Sequence, residues 1–518
     1  MTYLSNNNHQ EIPIIEQKYH CFGFLSFIIP YHISYFCSMM KTKTLTLLFF
    51  SFLLSSTAVA FNADPLDYGA KGDGKTLDSP AINAAIEDCA SHGGGIVTLS
   101  PGQYLSGSIR LKSNIELRLE PGAVIIATKE REAYDKAEVF GAPEYQDGGH
   151  TYFHNSLIWA EGQENVSITG RGMIDGQGLT RHDTENAGNV QGGSIGMGDK
   201  AIALKQCRNI LIRDITIYRG GHFAIIITGC DYATIDNVMI DTNRDGIDID
   251  CCRFTTVTNT KINTPHDDAL VLKSSYALKK PVVCENILIT NCTVTGFKLG
   301  TALDGTYVPE TVNWVCGRIK LGTESNGGYR NITISNCTCL YSSGLAFEEV
   351  DQGIMENIVV NNISMNHVHH YPIYITTGCR NRGPKERTTV SSARDIQISN
   401  VTANDCDSLS GIQITGMPGH PIQNIRLNNI QLRYRGGVQQ QVDRNYPELG
   451  NKYPEIAKFL GICPAYGLFA RHVDGLYLSN ITIQLEKADA RPCFIMDDVK
   501  NLHMAEIETP EGWIKNNK

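Results

Sequence analysis

The sequence predicts an all-β protein, a right-handed parallel β-helix (solenoid) with a short N-terminal capping helix. Three observations carry this prediction: a short strand unit recurs along the chain, a column of Asn and Asp residues closes these units, and helix signals almost vanish after residue 99. A unit of this size cannot bury its own apolar face. Successive units therefore have to stack on one another and share a continuous core.

The capping helix comes first in the chain. We expect Ser79 to cap it and Pro80 to occupy its first turn, as proline commonly does at helix starts. Such a helix would cover the open end of the sheet, because an uncovered edge is free to pair with other chains. The residues that follow form one apolar stripe: Ile82, Ala85, Ile86 and Cys89.

The recurring unit reads apolar–x–apolar, where x is any residue, and is followed by Asn or Asp, at intervals as short as 23 and 22 residues. Longer intervals indicate loops inserted into single turns. Asn tolerates the left-handed backbone and can bond the backbone of the next turn. Asn291, Asn336 and Asn400 also lie in Asn-x-Ser/Thr sites, which would be glycan acceptors in a eukaryote, but we expect these three to belong to the column and to be turned inward. A nine-stranded antiparallel sandwich is the rival, but it needs turn signals about every 8–12 residues. The column comprises Asp214, Asn237, Asn259, Asn291, Asn336, Asn362, Asn400, Asn429 and Asn480.

An export signal starts at Met40 rather than at residue 1. A basic start is followed by an apolar stretch, and residues 58–60 read Ala-Val-Ala, a small-residue cleavage site. The alternative is a membrane anchor at residues 20–37, but Pro30 and His32 interrupt it. We expect no membrane span in the mature chain and export to the periplasm or the cell exterior. We predict three parts. Residues 1–39 are upstream sequence that precedes the true start of the protein, residues 40–60 are the signal peptide, and residues 61–518 form a single β-helix catalytic domain.

The formal net charge of −9 argues against a nucleic-acid partner. Of 16 cysteines, 14 follow the cleavage site. Export permits disulfides, but at repeat-like positions we favour free thiols stacked in the interior of the coil. No Cys-x-x-Cys pair recurs at metal-site spacing. We therefore expect no zinc site. We also expect the chain to be a monomer.

Three stretches fit no repeat, and we expect them to form loops on one side of the coil. Loops in that position could wall a cleft. If they block one end of it, the protein would act on chain ends (exo action). The stretches are 134–154, 304–314 and 433–453.

Carboxylates cluster in two short stretches, 243–250 and 266–269. If one turn takes about 22–25 residues, Asp245 and the pair Asp267-Asp268 lie on adjacent rungs, about 4.8 Å apart. Carboxylates so arranged can flank one glycosidic bond. A separation of about 6.5–9.5 Å between acid and base leaves room for a water and predicts inversion.

Structural alternatives exist for the same acidic residues. Asp248 and Asp250 could be solvated residues of one strand, and Asp267 could cap a turn. An oxygen-rich cluster could also bind calcium. A β-helix by itself does not identify a function, since lyases, esterases, hydrolases and adhesins share it.

Five motifs occur in order along the chain: residues 67–74, 168–178, 243–248, 267–268 and 322–328. In this order they resemble the motifs of glycoside hydrolase family 28, the polygalacturonases and their pectin-cleaving relatives, over almost the whole mature chain. The resemblance implies a right-handed parallel β-helix that hydrolyses α-galacturonosidic linkages of a pectic oligo- or polysaccharide. It also implies inversion, without metal or cofactor.

The resemblance further implies individual roles. Asp267 looks like the general acid that protonates the leaving oxygen, and Asp245 and Asp268 look like the carboxylates that activate water. A general acid needs a raised pKa, which two nearby anions would provide.

Two departures from the family pattern affect the substrate. Residues 316–318 read Cys-Gly-Arg where the family has Gly-His-Gly, and residues 346–348 read Ala-Phe-Glu where it has the carboxylate-binding Arg-Ile-Lys. An Arg-Ile-Lys does occur at 318–320, one segment earlier. Its cations could hold a galacturonate carboxylate from a neighbouring rung, or they could be exposed charges. The candidate substrate-binding residues are Asn243, Lys273, Arg318, Lys320 and Glu324.

Other functions stay open at this point. A hydrolase of decorated pectin, such as rhamnogalacturonan or xylogalacturonan, is the alternative to one that cleaves plain homogalacturonan. A pectate-lyase-like enzyme would need calcium and an arginine base. A non-catalytic carbohydrate-binding β-helix would have no need of Asp245, Asp267 and Asp268, and their presence favours hydrolysis.

Overall fold

The computed structural model describes residues 61–140, 148–179, 199–311, 314–384, 386–440, 442, 446–454 and 462–517. Within these residues the chain winds as a parallel β-helix, because strands pair in parallel with those of the preceding and following turns. The predicted upstream segment, the signal peptide and the alternative anchor lie outside the described residues.

The strands form three columns, named here sheets 1, 2 and 3, because strand n pairs with strand n+3 through much of the chain. Sheet 1 contains β1 (Phe61–Ala63), β3 (Gly95–Leu99), β6 (Ile115–Leu119), β9 (Glu164–Gly170), β12 (Arg208–Arg213), β15 (Asp231–Asp236), β18 (Arg253–Thr258) and β21 (Cys284–Thr290). Sheet 2 contains β2 (Asp73–Leu77), β4 (Gly102–Ser106), β7 (Ala123–Ala127), β10 (Met173–Asp175), β13 (Thr216–Tyr218), β16 (Met239–Asp241), β19 (Lys261–Asn263) and β22 (Thr293–Thr295).

Sheet 3 carries the acidic motifs. It contains β5 (Ile109–Arg110), β8 (Ile158–Glu161), β11 (Lys200–Lys205), β14 (Phe223–Thr228), β17 (Asp245–Asp250), β20 (Leu270–Ser274), β23 (Ile319–Ser325), β25 (Leu345–Glu349), β27 (Ile373–Thr377) and β29 (Ile412–Thr415).

Towards the C-terminus, single long strands take over from sheets 1 and 2. The first of them, β24, pairs with β21 of sheet 1 and with β22 of sheet 2. The last strand, β33, runs antiparallel to β32 and ends the parallel coil. These strands are β24 (Tyr329–Ser342), β26 (Ile354–Val368), β28 (Ser392–Cys406), β30 (Ile422–Gly436), β31 (Leu468–Lys487), β32 (Phe494–Thr509) and β33 (Gly512–Asn517).

Helix α1 (Ser79–Ser91) confirms the predicted capping helix. Its apolar stripe is buried and contacts the first strands of sheets 1 and 3. Ser79 lies within the helix, and Asp78 precedes it without a side-chain cap. The Asp78 carboxylate instead accepts hydrogen bonds from the backbone N–H groups of Lys71 and Gly72. None of the helices in the described part has the length and hydropathy that a membrane crossing requires.

Aliphatic side chains of successive turns stack in the interior. In sheet 3, Ile225 pairs with Ile247, and Ile247 pairs with Leu270. All three are 0% exposed, and each such burial contributes about 1.5–3 kcal/mol. The steps of 22 and 23 residues match the predicted length of a turn.

The Asn and Asp column lies on the outside of the coil. All nine members have positive φ, as predicted. Their amides bond along the column, as where Asn362 Nδ2 donates to Asn336 Oδ1 at 2.8 Å. The expectation that Asn291, Asn336 and Asn400 turn inward is wrong, since all three are exposed. Apolar side chains of each unit fill the interior and leave no room for the amides.

The 14 cysteines of the described part have free thiols, and all but Cys379 are buried. Cys207, Cys230 and Cys252 lie on successive turns, where the backbone N–H of each of the first two donates to the thiol of the next at 3.4 Å. This confirms stacked thiols over disulfides at these positions.

The outer face of sheet 3 differs from that of sheet 1. Strand β18 of sheet 1 begins with two exposed positions and then alternates between buried and partly exposed ones, whereas β14, β17 and β20 of sheet 3 are buried at every position. Side chains that point away from the core of sheet 3 are therefore covered. Several of these covered side chains are charged, so this face of sheet 3 is the candidate location of an active site.

Candidate active site

The three predicted carboxylates meet at one edge of sheet 3. Asp245 begins β17, and Asp267 and Asp268 come just before β20, its parallel neighbour. Neighbouring parallel strands begin at the same edge, which brings the carboxylates together. The Asp268 backbone N–H donates to Asp245 Oδ1 at 3.2 Å and to Asp267 Oδ1 at 3.0 Å. The predicted arrangement on adjacent rungs is present.

Asp267 and Asp268 approach each other closely. One ligand oxygen each of Asp267 and Asp268, together with Cys316 Sγ, lie within 4.8 Å of one another. This spacing joins the nearest atoms and is not the separation between acid and base of about 6.5–9.5 Å that indicates inversion. Inversion therefore stays a prediction.

The three carboxylates differ in access to solvent. Asp245 and Asp268 are 3% exposed, whereas 22% of the Asp267 side chain is exposed. Asp267 Oδ2 contacts Arg244 Nη1 at 2.6 Å. Asp267 is therefore the member of the trio that a large substrate can reach directly.

Arg318 and Lys320 surround Asp268. Arg318 Nε donates to Asp268 Oδ1 at 2.5 Å, and its Nη1 donates to the Tyr371 hydroxyl at 2.6 Å. Lys320 Nζ lies 3.2 Å from Asp268 Oδ2 and 3.2 Å from Glu348 Oε2. Both cations are 2% exposed, so the alternative that they are exposed charges is wrong.

Lys273 sits among three carboxylates on the same face. Its Nζ lies 3.4 Å from Asp245 Oδ2, 3.2 Å from Asp248 Oδ2 and 3.5 Å from Glu324 Oε2. Lys273 and Glu324 are 5% and 4% exposed, and the candidate Asn243, just before β17, is 5% exposed. The charged members of the predicted binding set therefore form a buried network around the catalytic candidates, and Asn243 is buried just before β17.

The network shifts the two buried aspartates in opposite directions. Burial, reinforced by the charges of Asp267 and Asp248, raises the pKa of Asp245 well above its ordinary value. Burial would also raise the pKa of Asp268, but Arg318 and Lys320 lead the charges that hold it well below its ordinary value. The raised pKa favours the protonated form of Asp245, while Asp268 is kept ionised.

Asp248 and Asp250 are not solvated, which corrects that alternative. Both are 0% exposed. Asp250 accepts hydrogen bonds from the backbone N–H and hydroxyl of Ser275 at 2.8 and 2.6 Å, and this fixes the turn after β20. Asp248 contacts Lys273 and belongs to the charge network.

Described residues of the three predicted loops reach this face. His150 Nε2 lies 3.6 Å from Asp248 Oδ2. Glu310 Oε2 lies 3.5 Å from the ring of His266, which precedes Asp267. Tyr453 accepts a hydrogen bond from a threonine of β23. Segments far apart in the sequence thus wall one site.

Sequence reasoning missed several of these contacts. The motif lacks a histidine at Gly317, yet His150 joins the network from a loop that fits no repeat. Glu348 replaces the family's lysine and pairs with Lys320. Nothing in the sequence indicated that Arg244 pairs with Asp267, because residue 244 is the unspecified middle position of the Asn-x-Asp motif.

Two groups of described residues could each offer three ligand atoms to a metal ion: Asp267, Asp268 and Cys316; and Glu138, His154 and Glu161. In each group a protein cation already lies against the carboxylates. Arg318 contacts Asp268, and Lys205 Nζ lies 2.9 Å from Glu161 Oε1. The charges of both groups are therefore satisfied within the protein.

Comparison with known proteins gives two kinds of match. A family model described as "Rhamnogalacturonase A/epimerase, pectate lyase-like" matches residues 60–298. An exopolygalacturonase of Platanus acerifolia is 24% identical over 407 residues, which cover 74% of this chain and 92% of that protein.

Two solved structures resemble this one. A family 28 exopolygalacturonase of Yersinia enterocolitica superposes with a TM-score of 0.64 at 17% identity, over 87% of this chain and 79% of that chain. A hyperthermoactive exopolygalacturonase of Thermotoga maritima gives 0.57 at 18% identity, over 88% and 93%. These matches confirm the right-handed parallel β-helix and the resemblance that the motifs indicated.

Proposed function

We propose that this chain, a relative of the polygalacturonases of glycoside hydrolase family 28, is an inverting glycoside hydrolase that cleaves α-galacturonosidic linkages in pectin. The observation that carries the proposal is the set of three carboxylates on adjacent rungs of one covered sheet face. The names of the relatives in Platanus, Yersinia and Thermotoga support a pectic substrate and favour exo action.

The proposed reaction assigns one role to each carboxylate. Asp267, the most accessible, gives its proton to the glycosidic oxygen as the bond to the anomeric carbon breaks. A water attacks that carbon from the opposite side and loses its proton to Asp268. Asp268 suits this role because its cations keep it ionised. Asp245, whose pKa is raised by burial, lies beside Asp268 and orients the same water by a hydrogen bond. Neither a metal nor a cofactor enters the scheme.

The predicted binding residues receive more specific roles. Arg318 and Lys320 balance the charge of Asp268, and Lys273 balances the charges of Asp245 and Glu324. Because these charged residues are buried, we assign them to setting the pKa of the carboxylates and not to binding a sugar directly. Asn243 is kept as a candidate for binding sugar hydroxyls.

A second candidate is a hydrolase of decorated pectin, such as rhamnogalacturonan or xylogalacturonan. The description of the matching family model includes a rhamnogalacturonase. In addition, Gly317 and Glu348 occupy the positions where the polygalacturonase motifs have a histidine and a lysine. The side chains available to bind a plain galacturonate chain therefore differ at these positions.

A substrate panel tests the proposal. The protein is incubated with polygalacturonate, rhamnogalacturonan and xylogalacturonan while reducing ends and ultraviolet absorbance are recorded. We expect reducing ends from polygalacturonate without new absorbance. Release only from the decorated polymers would favour the second candidate. New absorbance would indicate a lyase, and binding without any release would indicate a carbohydrate-binding protein; either result would reject the proposal.

We also propose that residues 40–60 are removed during export and that residues 61–518 act as one monomeric domain in the periplasm or outside the cell. Expression of the chain from Met40, followed by mass measurement of the exported product, tests this. The expected mature N-terminus is Phe61.

A further inference from the structure

The contact between Arg244 and Asp267 lies at the open side of the site. Arg244 Nη1 is 2.6 Å from Asp267 Oδ2, and the two side chains are 20% and 22% exposed. The Arg244 backbone is held by the Thr264 hydroxyl, which donates to its carbonyl oxygen at 2.9 Å. The backbone of Arg244 is therefore fixed, and its guanidinium reaches Asp267 at this open side.

This contact conflicts with the acid role proposed for Asp267. Oδ1 accepts the N–H of Asp268 at 3.0 Å, and Oδ2 is the oxygen that Arg244 holds. An arginine side chain has only donors and does not deprotonate in proteins, so a protonated Oδ2 has no acceptor there. The guanidinium has to leave Oδ2 before that oxygen can carry a proton to the leaving group.

The other site cations are committed elsewhere. Lys273, Arg318 and Lys320 are at most 5% exposed and are paired with buried carboxylates. Arg244 and Arg382 are the more exposed cations among the described residues of this network, and Arg382 contacts Glu324 at 3.3 Å. Arg244 is thus the cation beside the reacting carboxylate that an incoming anion can reach.

We propose that Arg244 is a substrate-binding and positioning residue that a sugar carboxylate draws away from Asp267. This inference rests on the proposed function. The substrate's carboxylate replaces Asp267 as partner of the guanidinium, so the charges stay balanced. Asp267 Oδ2 then takes a proton from solvent and passes it to the glycosidic oxygen. Bidentate pairing of arginine with carboxylate favours the exchange.

The exchange makes the free acid of the substrate part of the mechanism. A methyl-esterified uronide carries no anion to compete for Arg244, so Asp267 stays paired and turnover is slow. Four titratable neighbours also interact with the pair. The Asp268 N–H donates to Asp267, Asp245 is close enough for the charge of Asp267 to raise its pKa, and His266, which contacts Glu310, is close enough for the charges of both Arg244 and Asp267 to affect its pKa. None of these neighbours adds a second cation that could release Arg244.

The test compares Arg244→Gln and Arg244→Lys with the wild type on an oligogalacturonide and on its methyl ester. We expect Arg244→Gln to reduce the acid-to-ester ratio of kcat/KM at least tenfold, through a higher KM for the acid and an equal or higher kcat for the ester. Arg244→Lys should keep most of the preference. Arg253→Gln, which removes an exposed cation paired with Asp231 on sheet 1, should leave the ratio unchanged.

A binding measurement keeps the inference testable without turnover. In the Asp267→Asn background, Arg244→Gln should weaken binding of the acid oligomer at least tenfold by calorimetry and leave binding of the ester unchanged. Equal effects on acid and ester in both assays would assign Arg244 a purely structural role and overturn the inference alone. If the wild type neither binds nor cleaves any uronide, the inference and the proposed function both fail.

Discussion

Asp267→Asn reduces hydrolysis by about 10²–10⁴-fold, the contribution of a positioned general acid, and leaves the fold intact. Asparagine has the same shape as aspartate but has no acidic proton to give. The side chain is 22% exposed, so loss of its ion pair costs little stability. Release of reducing ends under saturating substrate measures the effect, and thermal unfolding measures the integrity of the fold.

A matched control removes a carboxylate from the loop at residues 298–311. Asp304 is exposed, and its Oδ1 accepts hydrogen bonds from the Thr306 backbone N–H at 2.9 Å and hydroxyl at 2.6 Å. In Asp304→Asn the amide oxygen can still accept both bonds, and we expect wild-type turnover. Undiminished turnover in Asp267→Asn would contradict the assignment of Asp267 as the general acid.

Lys273→Met lowers the free energy of unfolding by about 3–5 kcal/mol at neutral pH, the usual cost of leaving a buried charge unpaired. The ammonium group lies within 3.2–3.5 Å of the carboxylates of Asp245, Asp248 and Glu324. Methionine fills a similar volume, so the loss reports charge and not a cavity. Chemical denaturation followed by circular dichroism measures it.

The pH dependence separates this cause from a packing defect. Burial raises the pKa of Asp245 and Asp248, and Lys273 opposes both rises. A carboxyl group whose folded pKa exceeds its unfolded value contributes stability below the unfolded pKa, and this is lost as pH rises through the folded pKa. Removal of Lys273 widens that gap. The deficit of the variant should therefore grow from about pH 4, the ordinary carboxyl range, towards neutrality.

The control for this variant is Lys112→Met. Lys112 and its partner Glu87 are 40% and 57% exposed, and an exposed pair contributes about 0–1 kcal/mol. A deficit in Lys273→Met that does not vary with pH, or one no larger than that of the control, would contradict the buried charge network.

The fold was predictable because its rule is local. Each turn repeats an apolar triplet and an Asx corner, and the interval of 22 or 23 residues is visible between Asp214, Asn237 and Asn259. The direction of the corner side chains was not predictable in the same way. It depends on which side chains fill the interior, and the aliphatic residues of neighbouring turns take that space.

The site was predictable only in its repeating part. Asp245 and the Asp267-Asp268 pair are one turn apart, so their meeting follows from the period. The partners that set their charge come from elsewhere: His150 arrives from a long loop. Arg318 comes from the next turn, after an inserted loop that hides the period. Contacts made by residues in or after inserted loops do not follow the repeat, so the repeat interval does not predict them.

The sequence did not indicate which of the neighbouring carboxyl groups has a raised pKa. Three neighbouring aspartates indicate that some carboxyl pKa will rise, but which one depends on burial and on cations that the motif does not contain. Burial selects Asp245 for the rise. The cations led by Arg318 outweigh burial at Asp268. Only the folded arrangement decides between them.

The anomeric configuration of the first product tests the central claim, inverting hydrolysis of an α-linked uronide, most directly. Proton NMR spectra are recorded during the first minutes of cleavage by the wild-type protein, before mutarotation mixes the anomers. Attack by water on the face opposite the leaving group predicts that the new reducing end appears first as the saturated β-anomer. A first product with the α-configuration would indicate retention, and an unsaturated one would indicate elimination; either would contradict the account.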